Sequence, residues 1–205
     1  MKILFEDKEI VVCIKDRGLL SQADMGGGKS MITELSACCK SEIYPLHRLD
    51  REVGGVMVYA KTKSAATVLS RDIAEHKFKK EYMALIHGEP QKEKGEMQDL
   101  LFKDSRKNKS YVVKRERKGV KKASLEYEIL ETNREKSVVL VKLHTGRTHQ
   151  IRVQFASRKM PLLGDKKYGA KDNAEIMGLW CYRITFNHPV TGKEMIFCQE
   201  PDFKL

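Results

Sequence analysis

Short apolar stretches separated by polar turns recur along the chain and predict more strands than helices. Continuous apolar runs at 10–15 and 55–60 are typical of buried strands. A period of two over 82–87 and 125–129 predicts two more strands, the second of them half-exposed. Further strands are expected at the positions 137–144, 179–186 and around 195–197, the last two forming a hairpin through Pro189 and Gly192.

Three segments show helical features. A helix is expected over 29–40, and Thr62 is placed to cap a second helix with apolar residues at helical spacing. A third helix over 148–158 has Ile151 and Phe155 four residues apart on one face. Because several strands are joined too briefly for a parallel βαβ repeat, the pattern predicts an α+β fold: a mixed, largely antiparallel β-sheet flanked by helices.

Length and composition narrow the class of protein. A chain of 205 residues with 41% apolar residues can bury a real core, which excludes a disordered polycation, and one domain over 1–205 is the simplest reading. No apolar run approaches the roughly 20 residues of a membrane span, and acidic residues near the start argue against a secretion signal. Five cysteines without a Cys-x-x-Cys pair predict free thiols in a cytoplasmic protein.

The charge indicates a polyanionic partner. Lys and Arg number 39 against 28 Asp and Glu, a formal net charge of +11. The segment 103–122, called the basic stretch here, holds ten Lys and Arg residues against two acidic ones. We predict that it contacts RNA through Lys114, Arg115, Arg117 and Lys118, the alternative being a solvated surface hairpin.

Two other candidate sites are weak. The run from Gly26 to Ser30 resembles a phosphate-binding P-loop, but Ala23 occupies the place of its first glycine, so a glycine-rich loop is favoured. His144 and His149 are five apart and lack the glutamate of a helical zinc motif. No metal and no cofactor are therefore predicted.

Asp50 is the most informative candidate. The residues His47, Arg48, Leu49 and Asp50 precede the apolar strand at 55–60, and Arg51 follows. A lone loop aspartate usually caps a turn. Here positive neighbours favour the ionised carboxylate, which suits a nucleophile or a base.

The motif at 47–50, with its trailing glycines, resembles the catalytic motif of RluA-type RNA pseudouridine synthases. Three further segments match that family in order. Residues 80–84 resemble the strand that bears its active-site tyrosine, and 145–152 (TGRTHQIR) resemble its arginine motif. Residues 163–169 and 186–192 resemble its C-terminal signature, so the likeness extends from about residue 10 to residue 198.

The resemblance implies a pseudouridine-synthase-like fold and an isomerase that converts uridine in ribosomal or transfer RNA to pseudouridine without a cofactor. It implies that Asp50 is the catalytic carboxylate and that Arg152 is its partner. Whether Asp50 attacks the sugar, attacks the base or removes a sugar proton stays open. Tyr82 would stack on the target base and serve in removing the C5 proton.

The remaining motif residues would contact the RNA. Arg48 would replace the flipped uridine or hold neighbouring phosphates, with His47 and Leu49 beside it. Arg147 and His149 would contact RNA or order their loop, and Ile151 would form an apolar floor under the base.

The chain differs from the family's usual residues at two places, Val53-Gly54 after the catalytic motif and Lys15-Asp16-Arg17-Gly18 near the N-terminus. Both differences are expected to change the shape of loops near the RNA. The early first strand leaves no room for an N-terminal S4-type RNA-binding module, and a monomer is expected. The competing readings are a noncatalytic RNA-binding or ribosome-assembly module of the same fold and a P-loop nucleotidase.

Overall fold

The computed structural model describes residues 1–23 and 29–205, which divide into two compact units. The first unit comprises Met1–Lys80 and Trp180–Pro201, and the second comprises Glu81–Leu179 and Asp202–Leu205. The glycines of the P-loop-like run lie outside the described residues.

Eleven strands and three α-helices are present among these residues. The strands are β1 (Lys2–Glu6), β2 (Ile10–Lys15), β3 (Tyr44–Pro45), β4 (Gly54–Ala60), β5 (Lys79–His87), β6 (Lys94–Asp104), β7 (Lys109–Val113), β8 (Val120–Thr132), β9 (Lys136–Leu143), β10 (Leu179–Asn187) and β11 (Glu194–Cys198). The helices are α1 (Met31–Cys39), α2 (Lys63–Ala74) and α3 (Gln150–Ser157).

The first unit has a mixed sheet in which β1, β2, β4 and β10 are neighbours in that order. β4 runs antiparallel to β2 and parallel to β10, while β11 pairs with β10 and β3 with β4. Every residue of β2 and β4 is buried, as their continuous apolar runs predict. Ser30 caps α1 through a capping box with Thr33, and Thr62 caps α2 as predicted.

The second unit is built on antiparallel strands in the order β5, β9, β8, β6, β7. The basic stretch covers the end of β6, all of β7 and the start of β8. α3 packs on one face of β6 and β8, where Leu101, Ala123 and Val153 form a buried apolar cluster. On the same face of β6, Gln154 of α3 donates a hydrogen bond to Asp99 at 2.7 Å.

The predicted α+β class and mixed sheet are confirmed, and the predicted hairpin at the end of the chain is the β10–β11 pair. The third helix was predicted two residues too early. His149 adopts a left-handed conformation (φ 54°), and the Gln150 side chain accepts a hydrogen bond from the Arg147 amide at 3.0 Å, so 147–149 form a turn before α3. The strands β1, β3, β6 and β7 were not predicted; β1, for example, has only a short run that is partly buried. The single domain over 1–205 stays a prediction.

No helix in the described part of the chain combines the length and apolar character that crossing a bilayer requires.

β4 and β10 approach so closely that glycine is required at position 55. Gly55 has a φ of 128°, and a Cβ atom there would lie 2.3 Å from the Cys181 carbonyl oxygen. We predict that Gly55→Ala lowers the free energy of unfolding by about 3 kcal/mol, since it adds a backbone clash to a conformation that side chains disfavour. Gly192→Ala is the control: φ is 69° there, but the Cβ would meet nothing within 4 Å, so the expected loss is about 1 kcal/mol. Urea denaturation measures both, and equal losses would contradict the close-approach argument.

Candidate active site

Asp50 is half-buried in the loop 46–53 between β3 and β4, called the Asp50 loop here. Its carbonyl accepts a hydrogen bond from the Val53 amide at 3.0 Å, which closes a turn directly after the carboxylate. Just before it, the Leu49 amide donates to the buried Ser21 hydroxyl, which in turn donates to the Leu49 carbonyl, both at 2.9 Å. The backbone on either side of Asp50 is therefore fixed by hydrogen bonds.

Arg51 ties the Asp50 loop to the segment after β2. The Arg51 Nε donates to the Gly18 carbonyl at 3.0 Å, and the Gly18 amide donates to the Arg51 carbonyl at 2.8 Å. Both contacts hold the segment 15–18 against the Asp50 loop. Although residues 15–18 differ from those usual in the family, the loop is therefore still ordered.

Lys15 lies beneath the same loop and is completely buried. Its ammonium donates to the carbonyls of Asp16, Arg51 and Val53 at 3.1, 3.1 and 2.6 Å. Burial lowers the pKa of Lys15 to about 8, a shift that the negative charge of Asp50 opposes. Lys15 thus fixes two carbonyls of the Asp50 loop with a cation that has no access to water.

His47 is neutral in the folded protein. Burial, with a smaller contribution from Lys80, lowers the pKa of His47 to about 3. Its Nε2 accepts a hydrogen bond from the Val58 amide at 3.4 Å, and its ring lies 5.6 Å from that of Phe78. The sequence argument counted His47 among the positive neighbours of Asp50. That part of the prediction was wrong, because an imidazole with this pKa carries no charge at neutral pH.

The other two residues of the motif have contrasting environments. Leu49 is buried and belongs to the core. Arg48 is exposed at the surface of the loop, one residue from Leu49 and two from Asp50. Its guanidinium is therefore accessible to a ligand.

Tyr82 is buried in β5 of the second unit, paired with Val141 of β9. It shares a strand face with Ala84 and Ile86, in agreement with the predicted alternation. Its role toward a base stays a prediction.

Arg152 forms a buried bidentate ion pair with Asp165. Its Nε donates to Asp165 Oδ2 at 2.7 Å and its Nη2 to Asp165 Oδ1 at 2.8 Å, with both side chains almost fully enclosed. The guanidinium carbon also lies 5.1 Å from the centre of the Tyr168 ring. The arginine motif and the segment 163–169 therefore meet at one ion pair. The pairing of Arg152 with Asp50 that the resemblance implies stays a prediction.

His149 and Arg147 link the arginine motif to the basic stretch. The buried His149 forms a 2.9 Å hydrogen bond from Nδ1 to the Tyr168 hydroxyl, which accepts from the Ser110 amide of β7 at 2.8 Å. Arg147 is exposed, and its Nε donates to the Lys122 carbonyl of β8 at 2.9 Å. Both roles left open for these residues, ordering of the motif loop and contact with RNA, stay predictions. Ile151 is buried on α3.

The predicted RNA-contact cations Lys114, Arg115, Arg117 and Lys118 are all exposed in the loop 114–119 between β7 and β8. This loop joins two strands of one antiparallel sheet, so its ends are fixed while its side chains face water. The alternative of a solvated surface segment has the same geometry, and binding must decide between them.

The two weak candidates have other contacts. The hydroxyl of Ser30, which would bind a magnesium ion in a P-loop, caps α1 instead. His144 is exposed and lies 2.9 Å from Glu126, whereas His149 contacts Tyr168.

Sequence reasoning did not single out Lys15 or Asp165. The buried strand predicted over 10–15 included Lys15 and is confirmed, but no role was predicted for its ammonium. The one sequence signal for Asp165 was its position in the segment 163–169, which resembles the family's C-terminal signature. No role was predicted for Asp165 itself.

Known proteins are similar to this chain over the segments that contain the predicted catalytic residues. The family model described as RNA pseudouridylate synthase matches residues 9–157, a range that contains Asp50, Tyr82 and Arg152. An uncharacterized RNA pseudouridine synthase of Aquifex aeolicus is 35% identical over 98% of this chain and 70% of its own length. The ribosomal large subunit pseudouridine synthase C of Buchnera aphidicola is 32% identical over 98% of this chain and 67% of its own length.

A solved structure supports the fold. The human RNA pseudouridylate synthase domain containing 1 superposes with a TM-score of 0.82 at 23% identity, covering 99% of this chain and 84% of that one. The family match and the relatives agree with the RluA-type motifs read from the sequence. The chain therefore belongs to the RNA pseudouridylate synthase family, and is of the RluA type.

Proposed function

We propose that this chain isomerises specific uridines of ribosomal RNA to pseudouridine, with Asp50 as the catalytic carboxylate. The observation that carries the proposal is the family match, which spans Asp50, Tyr82 and Arg152 together. Ribosomal RNA is favoured over transfer RNA because relatives named for the large ribosomal subunit align with almost the whole chain. Cytoplasmic location and a monomeric state stay predictions.

The reaction is an isomerisation. The N1–C1′ bond of the uridine breaks, the uracil turns, and a C5–C1′ bond forms. The C5 proton is lost and N1 takes up a proton, so no oxidant, reductant or water is consumed. The protein has to hold the ribose and the base while they are separated, and to move one proton.

The Asp50 loop is suited to hold a carboxylate at a fixed point beside a ribose. Hydrogen bonds donated by Ser21, Val53 and Lys15 fix the backbone around Asp50. A carboxylate in a preorganised loop needs no rearrangement at the moment of reaction. The exposed Arg48 beside it presents a planar guanidinium, which can stack in place of a flipped base or bind a phosphate.

Tyr82 and Ile151 would contact the base of the target uridine. Tyr82 has an aromatic face for stacking and a hydroxyl that can take part in removal of the C5 proton. Ile151 would supply apolar contact below the base. Arg152, which Asp165 holds in place, would stabilise the negative charge of the catalytic carboxylate, since its guanidinium is always protonated.

Asp50→Asn should lower the isomerisation rate by about a thousandfold or more while leaving RNA binding within about twofold, because the amide keeps the shape but neither ionises nor acts as nucleophile or base. Tritium release from ribosomal RNA labelled at uridine C5 measures the rate. Glu52→Gln, an exposed acid in the same loop, is the control and should retain activity. An active Asn variant would remove Asp50 from the mechanism and favour the noncatalytic reading.

Lys15→Met should loosen the Asp50 loop. Removing the ammonium deprives the Arg51 and Val53 carbonyls of their donor, so we expect about tenfold faster hydrogen exchange at the Val53 amide. We also expect kcat to fall by about tenfold with KM within about twofold, because a displaced carboxylate impairs chemistry more than binding. Lys8→Met, at an exposed lysine, controls for the loss of a charge. Faster exchange with unchanged kcat would show that loop order does not position Asp50.

Replacing Lys114, Arg115, Arg117 and Lys118 with Ala should weaken RNA binding and flatten its salt dependence. Each lost phosphate contact lowers the slope of log K against log salt by about 0.7 to 0.9. Fluorescence anisotropy across a potassium chloride series measures the slope. The double variant Lys63→Ala/Arg71→Ala, with exposed cations on α2, should keep the wild-type slope. An unchanged slope in the fourfold variant would make the loop a solvated surface.

A further inference from the structure

A cavity of about 450 Å³ lies on the sheet of the second unit, beside the loop 114–119. Its lining is contributed by Leu100, Glu116, Arg117, Val120 and Lys122. The volume is in the range of small-ligand sites. Three of its five lining residues are charged and two are apolar, so it differs from both a core void and a plain basic surface.

The sheet register explains how these residues come together. In the β6–β8 pair, Leu100 lies opposite Lys122 and Phe102 opposite Val120. Because side chains alternate along a strand, these four share one face. Their neighbours Leu101 and Ala123 point to the other face, where they pack with Val153 of α3. The cavity is therefore on the face away from the helix, and its floor is Leu100 and Val120.

Arg117 is held above this face by an aromatic ring. Its guanidinium carbon lies 4.7 Å from the centre of the Phe102 ring. The Val120 amide donates to the Arg117 carbonyl at 3.0 Å, which closes a turn through Gly119 at φ 87°. Since Phe102 covers one side of the guanidinium and Arg117 is exposed, the other side is available for a second planar group.

Lys122 supplies a cation at the edge of the cavity. Its backbone carbonyl accepts from Arg147, which fixes this point of β8. Its ammonium lies 3.6 Å from a Glu116 oxygen, and both side chains are largely exposed. A surface pair of this length is weak, so a phosphate can compete for Lys122.

We propose that this cavity binds one unpaired nucleotide of the substrate RNA. The base stacks on the guanidinium of Arg117 and contacts Leu100 and Val120, while the phosphate pairs with Lys122. Single-stranded RNA is commonly bound by stacking of unpaired bases on arginine planes and aromatic rings. The site rests on the proposed function only in that RNA is the ligand, and it deepens that function by requiring an unpaired nucleotide apart from the target uridine.

Arg117→Lys tests the stacking, because lysine keeps the charge but lacks the plane. The probes are a twelve-nucleotide RNA of alternating A and C, which neither pairs nor contains uridine, and a twelve-base-pair RNA duplex. We expect the full chain with Arg117→Lys to bind the single strand about fivefold or more weakly and the duplex within about twofold of wild type. Phe102→Leu, which removes the supporting ring, should shift binding in the same direction. Arg71→Lys, at an exposed arginine on α2, is the control and should leave both affinities within about twofold.

Two outcomes would overturn the nucleotide site: unchanged binding of the single strand by Arg117→Lys, or equal weakening on both probes, which would show that Arg117 acts as a phosphate contact alone. Tritium release by the wild-type chain is measured in parallel. Because the single strand contains no uridine, a failure of isomerisation with the expected binding pattern would refute the proposed function and leave the nucleotide site standing.

Discussion

The geometry around Asp50 depends on a cation that the fold removes from water. Transferring an ammonium to the interior costs several kcal/mol unless hydrogen bonds replace its hydration. For Lys15 three backbone carbonyls do so, two of them from the Asp50 loop. If residues 51–53 moved away, the charge would be left buried with fewer acceptors, and the cost of burial would return. The cation therefore penalises any other arrangement of the loop, which is how a short irregular segment keeps one conformation.

The second unit applies the same physics to a different pair. Arg152 and Asp165 are almost fully buried, and both oxygens of the carboxylate are engaged by the guanidinium. Such a pair adds little net stability relative to apolar residues, but removing one partner leaves the other charge uncompensated. Its contribution is thus positional: it fixes the orientation of Arg152 on α3 and ties the helix to residue 165. In each unit a buried charge therefore positions a candidate functional group: Lys15 acts on the loop of Asp50, and Asp165 acts on Arg152.

Sequence patterns predicted strands with continuous burial or regular alternation and missed features that depend on tertiary contacts. Runs such as those of β2 and β4 are buried on both faces, so hydropathy alone identifies them. Lys15 was missed because a lysine at the end of an apolar run normally reaches water, and only the carbonyls of residues 51 and 53 show that this one does not. The early start assigned to α3 has a similar cause, since the side chain of Gln150 stabilises a turn that helical propensity does not encode. The motif at 47–50 located Asp50, but the neutral state of His47 required the burial that only the fold reveals.

The net charge of +11 also changes meaning once burial is known. Lys15 and Arg152 are counted in it, yet both are enclosed and their charges are used inside the protein. In the basic stretch, Lys109 of β7 lies 5.1 Å from the centre of the Tyr168 ring, whereas the cations of the loop 114–119 project from the surface. Attraction of a polyanion depends on charge that solvent and ligand can reach. The part of the positive charge most available to RNA is therefore concentrated in a loop whose ends are fixed by the sheet, and Phe102 beneath Arg117 gives one of these cations an orientation as well as a charge.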